Sequence, residues 1–230
     1  MSFQSRTRNS KIVMSKTLKQ EVVKQESVNA LAVGSAGFEI DPSDLEIPRI
    51  NVVQKMTETD APLGALVIDR KHVLSEAEVP VKVIAVSAQK GWRENIPYDE
   101  EEMPKTAWSK SRADEIEAES EWGMIEFAEI TLLVQKPEGC KDDEAYQLPI
   151  GDNDYALGKI NVAKNAYRST FKRLVTFAAF NEGVPVHNKI WSFMSEPLSK
   201  GKYSWHNPSL TATKEDTPEE VIAFASKFQS

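Results

Sequence analysis

Cysteine is almost absent from this chain of 230 residues. Because Cys140 stands alone, an internal disulfide cannot form and a cysteine-based metal site has no second ligand. This usage is typical of a reducing compartment, so we expect a cytoplasmic protein. Long apolar runs are also missing: none approaches the ~20 residues that span a bilayer. The first residues lack the apolar segment of a secretory signal, and we therefore expect no membrane partner.

Sequence motifs of common enzyme classes are missing too. The three histidines, His72, His187 and His206, are isolated from one another and form no metal-binding spacing. No G-x-S-x-G, Walker or G-x-G-x-x-G motif occurs, which argues against nucleophile-elbow and phosphate-loop chemistry. We therefore predict a protein that is not an enzyme and carries no cofactor.

One enzymatic alternative stays open. Acidic and amide side chains in two short segments, 142–144 and 152–154, could bind a divalent metal, with Lys159 nearby, as in a metal-dependent nuclease. The same Gly-Asp-Asn-Asp sequence at 151–154 is also typical of an ordinary turn, because Asp and Asn tolerate turn dihedrals.

Charge is unevenly distributed along a chain whose net charge is −7. Residues 94–146 contain 16 Asp and Glu against 5 Lys and Arg, whereas residues 159–205 contain 8 Lys and Arg against 2 Asp and Glu. Residues 1–26 are also basic. A locally cationic face can attract phosphates within about 8–10 Å, the Debye length at moderate salt. The negative net charge therefore does not exclude nucleic acid as a ligand.

The segment 159–180 has the strongest helical pattern. Apolar residues recur there at three- and four-residue spacing, which predicts one long helix. Beside the apolar face, Lys164, Arg168 and Lys172 follow at four-residue spacing, although like charges at this spacing destabilise a helix by about 0.2–0.5 kcal/mol per pair. The stripe is either the solvated flank of a core helix or a surface that holds an anion.

Around this helix, alternating and β-branched runs predict strands at 63–74, 79–89, 126–135, 146–150, 186–194 and 201–210. Residues 1–44 are predicted to be a flexible arm with a short helix at 17–30. Residues 98–121 are predicted to be an acidic insertion, with a short helix at 112–120 and Trp108 as its anchor. Residues 211–230 are predicted to end in an amphipathic helix with Thr217 as N-cap.

This order of elements predicts the fold class. Strands, one long helix and two further strands indicate a mainly β protein of the α+β class, with a five-stranded Greek-key barrel over residues 45–210. Barrels of this oligonucleotide/oligosaccharide-binding type bind ligands through a strand face and its loops.

Aromatic residues next to basic ones suggest stacking sites for bases, each worth about 1–3 kcal/mol. Trp191 and Phe193 share one strand face and belong either to the core or to such a site. Tyr203 and Trp205 share another face. The candidate binding residues from these patterns are Lys90, Trp92, Arg93, Lys164, Arg168, Lys172, Trp191, Lys202, Tyr203 and Trp205.

A short motif carries a family resemblance. The sequence LEIPRINVVQ at 45–54, followed by strands, an Asn/Lys/Arg-rich helix and a W-x-F strand, resembles phage- and mobile-element-encoded single-stranded DNA-binding proteins. The resemblance implies a barrel fold, coating of DNA during replication or recombination in the cytoplasm of the host, and Arg49 as a further binding residue. The C-terminal helix departs from that family, whose members often end in a disordered acidic tip.

We therefore predict a non-catalytic protein that binds single-stranded DNA with little sequence preference. RNA is an open alternative ligand, and further copies of the chain or replication and recombination proteins are open as partners. The leading rival is an acidic protein-interaction module that inhibits a nucleic-acid-binding protein of the host through residues 98–121. A metal-dependent nuclease is the third candidate.

Overall fold

A computed structural model describes residues 46–97 and 100–228 and shows a mainly β protein of the α+β class. The strands are β1 (Ile50–Val52), β2 (Leu66–Ile68), β3 (His72–Ser75), β4 (Val81–Glu94), β5 (Thr106–Ala107), β6 (Met124–Gln135), β7 (Leu148–Ile150), β8 (Asn153–Ala163), β9 (Lys189–Lys200) and β10 (Tyr203–Asp216). The α-helices are α1 (Lys110–Glu119), α2 (Lys164–Ser169), α3 (Phe171–Phe180) and α4 (Glu219–Ala225). The predicted arm 1–44, including its helix at 17–30, lies outside the described residues.

Most strands form one antiparallel sheet in the order β10-β9-β4-β6-β8-β7, and β5 pairs with the end of β4. β4 and β6 lie at its centre because their apolar runs are buried on both faces: residues 83–86 and 132–134 are all buried. The strands predicted at 79–89, 126–135, 146–150, 186–194 and 201–210 are confirmed, with β9 and β10 longer than expected.

β4 has one extra residue relative to β6, at Val86, between the pairs formed by Ala85 and Ser87. Because side chains alternate along a strand, one extra residue exchanges the faces of all that follow. Lys90 and Trp92 therefore lie on the same sheet face as Ala85. Tyr167 of α2 and Leu174 of α3 pack on this same face.

A second, three-stranded sheet packs on that face in the order β1-β2-β3. The segment predicted as a strand at 63–74 is instead two short strands, β2 and β3, and Asp69 and Arg70 form the turn between them with φ of 53° and 56°. The two sheets approach closely at Gly158, where an added Cβ would lie 2.7 Å from Ile50 Cγ1 and 2.9 Å from Ile68 Cδ1. A glycine is required there because the isoleucines of the small sheet occupy the space of a side chain.

The main core lies between the two sheets and continues under α2 and α3. Its largest fully buried side chains include Trp191, Phe193, Ile130, Leu132 and Leu174. The opposite face of the large sheet has a smaller core, in which Val221 and Ala225 of α4 pack against β4, β6 and β8.

The structure corrects the single long helix predicted at 159–180. Residues 159–163 are the end of β8 and pair with β6, because Ile160 and Val162 alternate into the core and β-branched residues favour strands. Thr170, with φ −122° and ψ −83°, then separates α2 from α3. Residues 160, 163 and 167 fit a helical spacing, but the period of two at 160 and 162 determines the fold.

The closed five-stranded barrel is not confirmed. The large sheet is an open path, because β10 and β7 lie at opposite ends of the strand order and are not paired with each other among the described residues. β10 also runs on to Asp216, so it crosses the boundary predicted at 210. Single-sequence patterns identify strands but carry little information on which strands pair.

The acidic insertion is more ordered than predicted. α1 spans Lys110–Glu119, with the Ser109 side chain accepting a hydrogen bond from the Arg112 amide at its N-terminus. Ala113 and Ile116 are buried beside β5, which fastens the helix to the sheet. The predicted anchor Trp108 packs on Phe127, with 5.1 Å between ring centroids. Residues 98 and 99 lie outside the described part of the chain.

The C-terminal amphipathic helix is confirmed, although its start differs from the prediction. Pro218, with φ −57° and ψ 148°, occupies the N-cap position in place of Thr217. The Pro218 carbonyl accepts hydrogen bonds from the amides of Val221 and Ile222. The helix therefore begins one residue later than the sequence motif suggested.

Replacing Gly158 with Ala tests the close approach of the two sheets. The added methyl group would overlap Ile50 and Ile68, and overpacking a core typically costs about 1–3 kcal/mol. We expect the free energy of unfolding, measured by urea denaturation, to fall by that amount. Gly123→Ala is the matched control, because nothing lies within 4 Å of its added Cβ. Equal stability of the two variants would contradict the packing of the small sheet at this position.

Candidate nucleic-acid interface

A cleft of ≈ 430 Å³ opens between β1, the outer edge of β8, the start of α2 and β10. Its lining combines cations, amides, one indole and a small apolar floor. The lining residues are Arg49, Ile50, Asn51, Val52, Gln54, Lys159, Ile160, Asn161, Ala163, Lys164, Asn165, Ala166, Trp205, His206, Asn207 and Pro208. None of these residues is acidic, in a chain that contains 35 Asp and Glu.

Backbone pairing along β8 builds one wall. β7 pairs with β8 only as far as Tyr155, which leaves the outer edge of β8 open beyond that residue. The segment before β1 covers part of this edge: the Lys159 amide donates to the Pro48 carbonyl at 2.9 Å, and Arg49 forms a parallel bridge with Lys159. This pairing places Arg49 and Lys159 side by side at the mouth of the cleft.

A side-chain amide fixes the opposite wall. Gln54 Nε2 donates to the His206 carbonyl at 2.7 Å, and Gln54 Oε1 accepts from the His206 amide at 3.0 Å. Two hydrogen bonds from one planar group hold β10 in register with the end of β1. Trp205, the neighbour of His206, is thereby held half-buried in the cleft lining.

Lys164 joins the strand to the helix in an unusual backbone conformation. Its φ is +53°, in the left-handed region that side chains with a Cβ rarely adopt. Such a residue costs about 1–2 kcal/mol relative to a right-handed one. The chain retains a lysine where glycine would be less strained, and this lysine lines the cleft.

Three further depressions extend the cleft in both directions. One shares Arg49 and Lys159 with it and adds Arg70, together with Glu46 and Asp69. Another shares Lys164 and adds Arg168 and Lys172, together with Glu126. The third continues past Arg168 and Lys172 along α3. We name the six cations that connect these depressions the cationic track: Arg70, Arg49, Lys159, Lys164, Arg168 and Lys172.

Most of the cationic track is not neutralised by neighbouring acids. Among the described residues, five of its members make no ion pair within 4.0 Å, and Lys159 is 3.6 Å from Glu129 Oε1. The five are Arg49, Arg70, Lys164, Arg168 and Lys172, and all of them are exposed. Exposed cations without partners can bind an anion without first breaking an ion pair.

Arg173, next in sequence to Lys172, has a structural role. Its guanidinium donates hydrogen bonds to the Leu210 carbonyl and the Thr211 hydroxyl, both at 2.8 Å, and to the Ser209 hydroxyl at 3.1 Å. These bonds tie α3 to β10. We therefore leave Arg173 out of the cationic track.

The predicted site residues do not all lie together. Arg49, Lys164 and Trp205 meet in the cleft, and Arg168 and Lys172 lie directly beside it. Lys202 and Tyr203 lie at the tip of the β9–β10 hairpin, where Tyr203 is 67% exposed and the Lys202 ammonium is 5.4 Å from its ring. They are on the strand that carries Trp205 but outside the cleft lining.

Lys90 and Trp92 lie beside the cationic track and interact with other residues of the protein. Lys90 forms an ion pair with Glu126, and this hydrogen bond raises the lysine pKa. Its ammonium also lies 5.0 Å from the ring of Trp92, which packs against the cluster under α1. Arg93 points to the opposite sheet face, and its burial lowers the pKa of the guanidinium.

Trp191 belongs to the core. It is 1% exposed, its Nε1 donates to the Val186 carbonyl at 3.1 Å, and Phe177 packs edge-on against it at 5.3 Å. A side chain enclosed in this way offers no face to a base, so it leaves the set of candidate binding residues. Of the two roles considered for the W-x-F strand, core packing and base stacking, Trp191 has the first.

Sequence patterns did not place Lys159, Asn51, Gln54 and Asn207 in the site. Asn51 and Gln54 belong to the LEIPRINVVQ motif, so the motif itself was the available signal. Their role depends on the pairing of β1 beside β8 and β10, over separations of more than 100 residues, and no local pattern reports such pairing.

The acidic residues considered for a metal site are engaged elsewhere. Asp142 contacts His72 Nδ1 at 2.7 Å, and Glu144 contacts Lys71 at 2.8 Å. Gly151 and Asp152 form the turn between β7 and β8. Within the described ranges, no group of three or more His, Cys, Asp or Glu side chains is arranged to hold a metal ion.

Comparisons with protein-family models, with curated proteins and with solved structures give no significant match to this chain. In the part of the chain that the structure describes, no helix combines the length and the apolar character needed to cross a membrane.

Substitutions at Lys164 test the strained junction. Lys164→Gly and Lys164→Ala remove the same charge, but only glycine relieves the left-handed backbone, so we expect the glycine variant to be more stable by about 1 kcal/mol. Thermal or urea unfolding of the two variants gives the difference directly. If the alanine variant were at least as stable, Lys164 would not have the backbone conformation described here.

Proposed function

We propose that this protein binds single-stranded DNA without catalysis and with little sequence preference. The observation that carries the proposal is the cleft lined by Arg49, Lys159 and Lys164, with Trp205 and without a carboxylate, on a strongly acidic chain. Binders of single strands combine a positive groove for the backbone with aromatic faces for the bases. Both components lie on one continuous surface of this molecule.

The cationic track supplies the backbone contacts of this proposal. Five of its six cations are exposed and lack an acidic partner among the described residues, so phosphates can replace solvent counterions at these five. Release of those counterions makes affinity fall with salt, with a slope of about 0.7 per phosphate contact for a single strand. Four acidic residues of the insertion, Asp114, Glu115, Glu117 and Glu119, lie on α1, and none of the insertion's described residues lines the cleft.

The shape of the cleft favours a single strand over a duplex. A volume of ≈ 430 Å³ with an indole in its lining has room for one base, provided that the base can leave its stack. In a duplex the bases are paired and their faces are covered, so only the track could make contact. We therefore expect a duplex to bind through its backbone alone and more weakly.

A role in phage DNA replication or recombination follows from the family resemblance of the LEIPRINVVQ motif, and RNA remains a second ligand to test. Neither the role in DNA replication or recombination nor RNA binding requires a closed barrel, because the cleft and Trp205 lie at the edges of an open sheet.

The rival proposal of an acidic interaction module has one observation in its favour. α1 is an ordered helix whose exposed surface carries Asp114, Glu115, Glu117 and Glu119. Asp114 and Glu115 are paired with Lys110 and Arg112 on the same helix, which reduces the charge available to a partner. Of the cations that line the cleft, Arg49 and Lys164 have no acidic partner among the described residues and only Lys159 is paired, with Glu129, so we place DNA binding first.

The double variant Arg168→Ala/Lys172→Ala tests the track. We expect weaker binding of a ~30-nucleotide single strand and a salt slope smaller by about 1.4, because two phosphate contacts are lost. The measurement is fluorescence anisotropy across a series of salt concentrations.

Lys110→Ala/Arg112→Ala is the control for that double variant. It removes the same two charges from α1, outside the cleft and its extensions, so the slope should stay at its original value. Equal slopes in both variants would exclude α2 and α3 from the binding surface.

A further inference from the structure

One edge of β4 is left uncovered in the middle of the strand. β9 pairs with this edge only at Val81–Val83, and β5 pairs with it only at Trp92–Arg93. β6 occupies the other edge. Between β9 and β5, no described strand lies beside β4. An open edge presents unpaired backbone groups to any extended segment that can reach it, and proteins usually cover such edges.

The hydrogen-bond pattern shows that the backbone of Ala88 faces this open edge. The Glu94 amide donates to the Lys105 carbonyl, on the side of β5, at 3.1 Å. The Asn95 amide donates to the Gly123 carbonyl, on the side of β6, at 2.8 Å. Because alternate residues of an antiparallel strand bond to opposite neighbours, the amide and carbonyl of Ala88 point away from β6. Neither group is bonded to another described residue, and Ala88 is exposed.

An uncharged groove of ≈ 610 Å³ runs beside this open edge, and we name it the edge groove. Leu174, Val175 and Ala178 of α3 line one side, and Phe228 lines another part. Leu174 belongs to the main core, whereas Phe228 packs against the core on the opposite face of the large sheet. The edge groove therefore has apolar side chains on both sides of the sheet. None of its lining residues is charged, so a segment that fits it is apolar on both faces.

We propose that residues 28–33 of the same chain bind in the edge groove as a strand added to β4. Their sequence, VNALAV, lies within 27–38, the longest run of this chain without Asp, Glu, Lys or Arg. As a strand, it presents Leu31 and Val33 on one face and smaller apolar side chains on the other. Its backbone supplies the missing partners of the open edge. The helix predicted at 17–30 would then end before this strand.

The chain before β1 is long enough for this contact. The described chain starts at Glu46, which lines a depression together with Lys159 of β8. Thr131 of β6 pairs with Lys159 on one side and with Ser87 of β4 on the other. These positions on β8 and β4 are therefore two strand spacings apart, or about 10 Å. Residues 34–46 can extend over about 45 Å, which is enough to pass around the sheet and reach the edge groove.

Cross-linking tests the proposed contact in the full-length protein. In a Cys140→Ser background, Ala88→Cys and Ala32→Cys provide the only two thiols, and a short bismaleimide can bridge them without an exact strand register. We expect a link within one chain, identified by mass spectrometry of peptides from the monomer.

Two variants of the arm show whether the link depends on docking. Adding Leu31→Asp/Val33→Asp places charges in the uncharged groove, and we expect the yield of the link to fall about tenfold, because burying an unpaired charge is costly. Ile12→Asp/Val13→Asp is the matched control. It makes the same kind of change elsewhere in the arm, leaves the tether between residues 32 and 88 unaltered, and should keep the original yield.

Three outcomes of the cross-linking would overturn the proposal. A link between two chains would assign the edge groove to the arm of a second copy. A yield that persists in Leu31→Asp/Val33→Asp would come from random encounters of a tethered segment. Absence of any link would show that residues 28–33 do not approach β4.

Hydrogen exchange at the Ala88 amide, followed by NMR, gives a second readout without added cysteines. Because an added strand accepts a hydrogen bond from this amide, we expect about tenfold faster exchange in Leu31→Asp/Val33→Asp than in the native protein. Ile12→Asp/Val13→Asp should exchange at the native rate. Equally fast exchange in all three proteins would contradict strand addition. Neither readout involves DNA, so the inference stands or falls independently of the proposed function.

Discussion

The edge of β8 is the constraint on which the site depends. This strand pairs with β6 from Tyr155 to Ala163, and its other edge is not covered by β7 beyond Tyr155. The chain before β1 binds to that edge through Pro48 and Arg49. At Ala163 the strand stops, and Lys164 turns the chain into α2 with a positive φ. The cleft forms where three features meet: the open edge of β8, the segment before β1 that covers part of this edge, and the strained backbone at Lys164.

Close contacts hold together the elements around this edge. Gly158 lets the small sheet approach β8 closely, so that Ile50 and Ile68 fill the space over the large sheet. The paired hydrogen bonds of Gln54 then fix β10 to the same unit. These contacts join the walls of the cleft into one unit.

The sequence predicted the parts of the fold that depend on local patterns. Strands rich in β-branched residues, the end of α3 near Asn181 and the C-terminal amphipathic helix were all recognisable from spacing alone. The segment 159–163 was not, because Ile160 and Ala163 satisfy a helical period whereas Ile160 and Val162 satisfy a strand period, and only pairing with β6 decides between them. A closed barrel was predicted in place of the open sheet for the same reason: strands that pair are distant in sequence, and local patterns do not identify their partners.

The candidate site, like the fold, was predicted only where local sequence patterns identify the residues. Lys164, Arg168 and Lys172 were found as a basic stripe, and the structure keeps them together even though they lie on a strand–helix junction and two short helices. Trp191 was named as a candidate from its neighbours but is enclosed by the core. Lys159, Asn51 and Gln54 were missed because their contribution comes from contacts between β1, β8 and β10.

Fluorescence anisotropy with a labelled ~30-nucleotide single strand and the corresponding duplex, at low and moderate salt, tests the central claim most directly. The account predicts tight binding of the single strand that weakens with salt, and clearly weaker binding of the duplex. Absence of binding to the single strand at low salt would contradict it, and the cationic track would then be a solvated surface of an acidic protein with another role.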